Sequence, residues 1–299
     1  MQFMFQYPDV HGTEQDMLES GDVADIAVAL ERADWNGLSF TEHPAPGANW
    51  LERGGHQSLD PFIALAGAAT VTTRLKLLSY LAVLPYRNPL MLAKTSATLD
   101  RISHGRFILG AGAGYLKGEF KALGVDFEER NALFDEALDV LPLHWSGEPF
   151  SYKGRHFEAR NTIARPRPTG ETIPIWIGGN AKVTLRRVAT RAQGWMPLLG
   201  PDEMFATTRT PNPGSQSDIA DKIAALAPDF KKRGIALDVA FPYLDNTIAE
   251  PRVDSDRHKE TFARLEEIGC TWLVISVPPA PPNAILDFIE SFGEVYIRA

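Results

Sequence analysis

The chain has 299 residues, 44% of them apolar; that is enough to bury a large core, and the length suits one α/β barrel of roughly 250 residues. Its net charge of −8 argues against a nucleic-acid partner, because phosphate backbones are held by basic faces. A lone cysteine, Cys270, excludes a disulfide framework and a thiolate metal cluster; it fits a reducing compartment, so a cytoplasmic protein is expected.

Residues 2–7 alternate polar and apolar and predict a first strand. Their flank lacks the basic and apolar pattern of a secretory leader. No apolar run reaches the ~20 residues of a membrane span, so no membrane partner is expected. A polar loop over 8–15 follows, then a helix capped by Ser20 or Asp22, with Val23, Ile26, Ala27 and Leu30 at helical spacing. Residues 37–41 predict a second strand that ends at Glu42-His43. A Gly/Pro-rich loop over 44–59 leads to a helix opened by Asp60-Pro61. A long apolar strand is predicted over 75–84 and a helix from Asn88-Pro89 to about 103.

The fourth strand is Phe107-Ile-Leu109, ending in Gly110, Gly112 and Gly114. These glycines permit a tight turn and close approach to a ligand. They are not a dinucleotide fingerprint, since Lys117 stands where its third small residue should be. A long helix is expected over 127–145 and a hairpin over 150–157 with Lys153-Gly154 at its turn. A fifth strand, 175–177, ends in Gly178-Gly-Asn180, and a helix follows over 181–193. The sixth strand is 194–197, and residues 201–217 form a polar variable loop. Asp218 is expected to cap a helix reaching 232. The seventh strand is 236–241, the eighth 271–277, with helices over 256–268 and 282–292.

Eight strands alternating with helices predict an α/β fold: a (β/α)8 TIM barrel over one domain, 1–299, with a small hairpin insertion and a variable loop after strand six. An open doubly wound sheet is the structural alternative. In a barrel the chemistry sits at the carboxyl ends of the strands, which directs attention to Glu42-His43, residues 81–84, the two glycine turns and Trp195-Met196.

Several stretches together resemble the luciferase-like flavin and deazaflavin oxidoreductases, most nearly their F420-dependent branch. They are Gly37-Leu-Ser-Phe-Thr-Glu-His43, Val83-Leu-Pro-Tyr-Arg-Asn-Pro89, Gly105 through Tyr115, Trp145-Ser-Gly-Glu148 with the following hairpin, Pro174-Ile-Trp-Ile-Gly-Gly179 and Gly194-Trp-Met-Pro197. They cover about residues 1–200 in order. The resemblance implies a TIM barrel, often a homodimer, binding F420 or alternatively FMN across the strand exits. It implies hydride transfer to or from a small-molecule organic substrate, or, with reduced FMN and oxygen, monooxygenation. The hard chemistry belongs to the cofactor in both cases.

By the same resemblance, His43 and Glu42 bond the ring edge, with His43 moving a proton. Whether Glu42 and His43 pair decides the charge on the imidazole. A non-prolyl cis peptide is expected at Leu81-Ala82, give or take one residue, backing the ring. Gly110, Gly112 and Gly114 supply cofactor-contacting backbone. Gly178, Gly179 and Asn180 offer free amides to the cofactor phosphate, with Arg186 and Arg187 assisting. Some F420 relatives carry an acid after the glycines of strand four; Ala113 stands there, which argues against sugar-phosphate dehydrogenation and leaves Tyr115 as a replacement hydroxyl donor. Arg87 is read as a helix-start or dimer contact. The remaining histidines, His11 and His56 among them, show no ligand spacing, so no metal is expected. A function of another class, a metal hydrolase or a cofactor-binding protein without turnover, is kept as the contrasting reading.

Overall fold

A computed structural model describes residues 1–14 and 16–298; Gln15, at the end of the first predicted loop, lies outside the described residues. Eight parallel strands form the frame. They are β1 (Gln2–Gln6), β2 (Gly37–Phe40), β3 (Lys76–Ser79), β4 (Phe107–Gly112), β5 (Ile175–Gly178), β6 (Gly194–Met196), β7 (Asp238–Pro242) and β8 (Trp272–Ile275). Each pairs with the next, Leu38 opposite Leu77 and Ile177 opposite Trp195, for example. Trp176 opposite Gly110 joins β5 to β4, and one further pairing, Phe5 opposite Ile275, closes the circle. The result is the expected TIM barrel.

Side chains alternate across each strand, which gives the barrel two apolar layers. Met4, Leu78, Ile108, Trp176, Met196, Ala240, Trp272 and Val274 form one cluster, filling the barrel as this fold requires. Phe5, Leu38, Leu77, Phe107 and Ile275 belong to a second, larger cluster that includes the helices. Those helices are α1 (Val23–Arg32), α2 (Pro61–Val71), α3 (Pro89–Ile102), α4 (Arg130–Trp145), α5 (Lys182–Arg191), α6 (Gln216–Arg233), α7 (Ser255–Glu267) and α8 (Pro282–Phe292). Asp60 accepts from the amides of Phe62 and Ile63, and Asn88 from that of Leu90, each just before a first-turn proline. Asp22 takes the first position of α1 without a side-chain bond.

Where β4 begins, Arg106 is buried beneath the barrel. Its guanidinium donates to the carbonyls of Ser103, Leu75, Ala69 and Thr72 and to the Thr72 hydroxyl. A buried cation is tolerated because every direction of its fork meets an acceptor.

Several local expectations are corrected. The third strand stops at Ser79; the non-prolyl cis peptide lies at Tyr80–Leu81, within the one-residue range expected for it. A two-residue strand, Ala82–Val83, then pairs beside β4. The helix over 127–145 divides into a single turn, Phe127–Glu129, and α4, because Asp126 caps the turn separately. The hairpin is longer than predicted, with strands Phe150–Lys153 and Glu158–Thr162; Glu136 accepts the amides of Arg155, His156 and Phe157 and so shapes the connection. Ser215, not Asp218, caps α6, with Asp218 completing a reciprocal box from the third position. The variable loop holds a short helix, Asp202–Thr208. Another short helix, Lys117–Ala122, was missed and proves important.

Candidate active site

The carboxyl ends of β2, β3, β4 and β5 lie side by side, so both glycine turns open at the same end of the barrel. Leu81, just after the cis peptide, sits between them. A Cβ on Gly112 would fall 2.1 Å from one Leu81 methyl, and a Cβ on Gly178 2.2 Å from the other. Both positions are glycine because the leucine occupies the space. Gly110 has a different cause: its added Cβ would meet the Ser79 carbonyl oxygen at 1.9 Å, so close strand approach alone accounts for it. Gly114 has φ +78° and abuts Val83 and Phe120, a conformation that favours glycine.

His43 leaves β2 with its amide bonded to the Ser58 hydroxyl at 2.7 Å. Its Nδ1 lies 3.3 Å from Glu119 Oε2. Glu119, carried by the missed helix, is only 1% exposed. It also accepts from the Tyr86 hydroxyl at 2.9 Å and the Ala45 amide at 3.2 Å. An ionised carboxylate only accepts, so this network puts the neutral imidazole's proton on Nδ1 and leaves Nε2 as an acceptor. Burial, then the Glu119 charge, pushes the hydroxyls of Tyr86 and Tyr115 well above the usual tyrosine range. Tyr115 therefore keeps its hydroxyl proton near neutrality.

Glu42 and His43, whose pairing the sequence left open, do not pair. Glu42 turns inward, 4% exposed, accepts the Val83 amide at 2.6 Å and pairs with Arg87. Burial pushes its carboxyl up, while Arg87 and the Val83 amide pull the other way. Arg87 is thus occupied inside the subunit: it reaches Asp60 at 3.0 Å and lies over the Phe62 ring.

Rings gather around His43. Trp50 lies 4.6 Å away between centroids, His56 4.7 Å and Tyr115 6.0 Å. Two histidines read as scattered therefore meet the third: His56 stands beside both His43 and His11. Asp9 joins them, bonded by Gln6 at 2.6 Å and Thr41 at 2.7 Å, with His56 Nε2 at 3.6 Å. Burial raises the Asp9 carboxyl to about 6, and burial lowers His56 to about 3. Among the described residues no group of three or more His, Cys, Asp or Glu is arranged to hold a metal ion.

The third exit corrects an expectation. The Gly178–Asn180 amides are not all free: Gly179 N donates to the Met196 carbonyl and Asn180 N to the Thr210 hydroxyl at 3.1 Å. The Asn180 side chain ties Leu198 and Pro211. Arg187 is unavailable, being buried in a two-pronged pair with Asp135. Trp195 is fully buried, and its indole donates to the Gly179 carbonyl.

Two hollows in the molecule lie away from these exits. One of about 230 Å³ is lined by Val28, Glu31 and Arg74. Another of about 430 Å³ is lined by Leu138, Trp145, Ile173 and Arg233.

Glu119, Tyr86, Asp9, His56 and Trp50 escaped the sequence reading. The available signal was weak. Glu119 follows the glycine turn closely, but one acid in an unpredicted helix looks like any solvated carboxylate.

With this geometry in view, comparisons with known proteins are specific. Residues 1–210 match the family model for luciferase-like monooxygenases, and the chain belongs to that family. The uncharacterized protein Rv0940c of Mycobacterium tuberculosis is 33% identical over 192 residues, 60% of this chain and 66% of that protein, so the match falls just short of two thirds of the relative. An F420-dependent glucose-6-phosphate dehydrogenase of Nakamurella multipartita is 26% identical over 273 residues, covering 90% of this chain and 73% of that protein. Among solved structures, an F420-dependent secondary alcohol dehydrogenase with an F420-acetone adduct superimposes with TM-score 0.73 at 16% identity, covering 98% and 97% of the two chains. A type II Baeyer-Villiger monooxygenase from Pseudomonas putida, in complex with FMN, gives TM-score 0.71 at 15% identity and the same coverage.

Proposed function

We propose that the protein is an F420-dependent oxidoreductase acting on a small organic substrate. The observation that carries this is the His43–Glu119 pair set beside two exits stripped of Cβ atoms. The relative that acts with F420 and matches 90% of the chain adds support.

The residues present fit a flat ring. Leu81 offers an apolar floor between Gly112 and Gly178, where any larger residue would collide. When bound, the deazaflavin supplies or accepts a hydride. The chain's part is positioning and proton movement. Glu119 fixes the imidazole plane and holds the Nδ1 proton. His43 Nε2 then takes a proton from a substrate hydroxyl, or returns one to a substrate oxygen, as the direction of reaction demands. Tyr115 donates a hydrogen bond alongside, and Trp50 and His56 exclude water from the imidazole. The phosphate arm falls at the Gly178–Asn180 turn, where the Thr210 oxygen now satisfies an amide and a phosphate oxygen would take its place. Ala113 speaks against a sugar-phosphate substrate of the kind named for the Nakamurella enzyme.

FMN-dependent monooxygenation is the second reading, favoured by the FMN-bound neighbour of the same fold. Parallel fluorescence titrations with F420 and FMN separate the two. Binding of F420 with anaerobic turnover of a secondary alcohol or ketone is the expected result. Oxygen uptake with reduced FMN alone would overturn it.

A further inference from the structure

Asp9 is an acid without a lysine or arginine. Its side chain is only 12% exposed. Both oxygens accept from neutral donors, Oδ1 from the Thr41 hydroxyl at 2.7 Å and Oδ2 from the Gln6 amide at 2.6 Å. Among the described residues no lysine or arginine pairs with it, whereas the neighbouring buried acid, Glu42, has Arg87. Taking an unpaired carboxylate out of water is expensive. A buried acid kept at that cost beside a reaction centre is suited to proton work.

Histidines surround it instead. His56 Nε2 stands 3.6 Å from Asp9 Oδ2, sealed from solvent and without a hydrogen bond among the described residues. The His56 ring meets that of His43 edge-to-face at 4.7 Å and that of His11 at 6.0 Å. Two short strands fix this arrangement: Val10–His11 pairs antiparallel with His56–Gln57, setting His11 opposite His56. The groups facing Asp9 are therefore Gln6 from β1, Thr41 and His43 from the exit of β2, His11 and His56 from the paired strands, and Tyr115 from the exit of β4; Glu119 stands behind His43. His11 is exposed, while the His43 side chain is only 9% exposed. The cluster thus runs from a covered imidazole to solvent.

Each turnover leaves His43 with one proton too many or one too few. Trp50, His56 and Tyr115 cover its ring, so exchange with bulk water has to pass through protein groups. We infer that Asp9 and His56 form a proton relay between His43 and solvent, with His11 at its outer end. The inference rests on His43 being the acid–base group of a deazaflavin-dependent reaction. In the oxidising direction the substrate O–H bond breaks and an N–H bond forms at His43 Nε2. That N–H bond then breaks; a proton enters one ring nitrogen of His56 and another leaves its Nε2 to form an O–H bond on the Asp9 carboxylate. Asp9 passes it through His11 to water and is again an anion. No electrons move in the relay. Burial favours the uncharged form of both Asp9 and His56, which lets each hold or release a proton without stranding a charge.

Steady-state turnover and the first hydride transfer are measured with F420 and a secondary alcohol in wild type, Asp9→Asn and His56→Ala. Both variants should turn over about tenfold more slowly, with the first transfer unchanged, and added imidazole buffer should restore the rate. Unchanged turnover, equal slowing of the first transfer, or no response to imidazole overturns the relay. If no secondary alcohol or ketone turns over with F420, the reading of the reaction fails on its own account, and a measurement without cofactor decides the pair. The Asp9 carboxyl carbon and the His56 ring nitrogens are titrated by NMR. A shared midpoint near 6, lost from His56 in Asp9→Asn, supports the pair. An Asp9 midpoint at the ordinary value of about 4, or a His56 step that survives the substitution, overturns it.

Discussion

Glu119 Oε2 lies 3.3 Å from His43 Nδ1, although 76 positions separate the two residues. The carboxylate is almost wholly buried and receives two further donors, from Tyr86 and Ala45. A group so fully engaged cannot swing away, and the imidazole it holds is fixed in both plane and tautomer.

Glu119→Gln should therefore lower turnover about tenfold to a hundredfold, less than the range associated with loss of an acid–base group itself. An amide of equal size keeps the packing, so the unfolding midpoint should move little. The pH–rate profile should change as well, since the two imidazole nitrogens are no longer distinguished. His43→Ala is expected to cost more activity and equally little stability. An unaltered pH profile in the glutamine variant would remove Glu119 from the mechanism.

Arg87→Ala strands the buried Glu42 carboxylate. Loss of one partner of a buried pair costs about 3 kcal/mol, to be read as a lower urea midpoint. Adding Glu42→Gln to the same chain should restore part of the loss, because no charge is then left unpaired. If the double variant is less stable than Arg87→Ala, Glu42 is held by something other than the guanidinium.

Gly178→Ala introduces a methyl 2.2 Å from Leu81. Overpacking of this kind typically costs about 1–3 kcal/mol. Leu81→Ala should relieve the clash, giving a double variant more stable than Gly178→Ala alone. The same double variant should bind ring cofactors more weakly, since their floor has been cut away. Thermal unfolding and fluorescence titration on one set of four proteins check both statements.

Glu31 supplies a pH prediction. Burial works against its charge, but the amides of Arg74, Thr73 and Leu75 and the Thr73 hydroxyl together hold the carboxyl at about 2. A depressed native value means stability present above the ordinary carboxylate range and lost as pH falls toward 2. Because the group is partly exposed, the contribution is discounted to about 1–2 kcal/mol. Glu31→Gln should lose this at pH 7 and match wild type near pH 2. A constant difference across that range would show that the native carboxyl is not specially stabilised.

The barrel was legible because β-period and helical runs alternate eight times and the glycines mark two strand ends. Asp60-Pro61 and Asn88-Pro89 declared their helices locally, and the capping bonds formed as written. The site was less legible. Glu42 and His43 are adjacent in sequence just past the end of β2, yet one meets Arg87 and the Val83 amide while the other meets Glu119. That divergence depends on a helix, Lys117–Ala122, too short to announce itself by periodicity. The histidine cluster was equally hidden, since His11 and His56 meet only because two short strands, Val10–His11 and His56–Gln57, pair across the mouth. The amides at Asn180 looked free until a loop thirty residues later supplied Thr210.

Arg106 stitches the far side of the barrel to its own backbone, and it does so without touching the exits where ligands would lie. Rewriting the loops above leaves that clasp undisturbed. Sequence changes confined to residues 44–59 or 201–217, none of which Arg106 touches, leave that anchored base as it is.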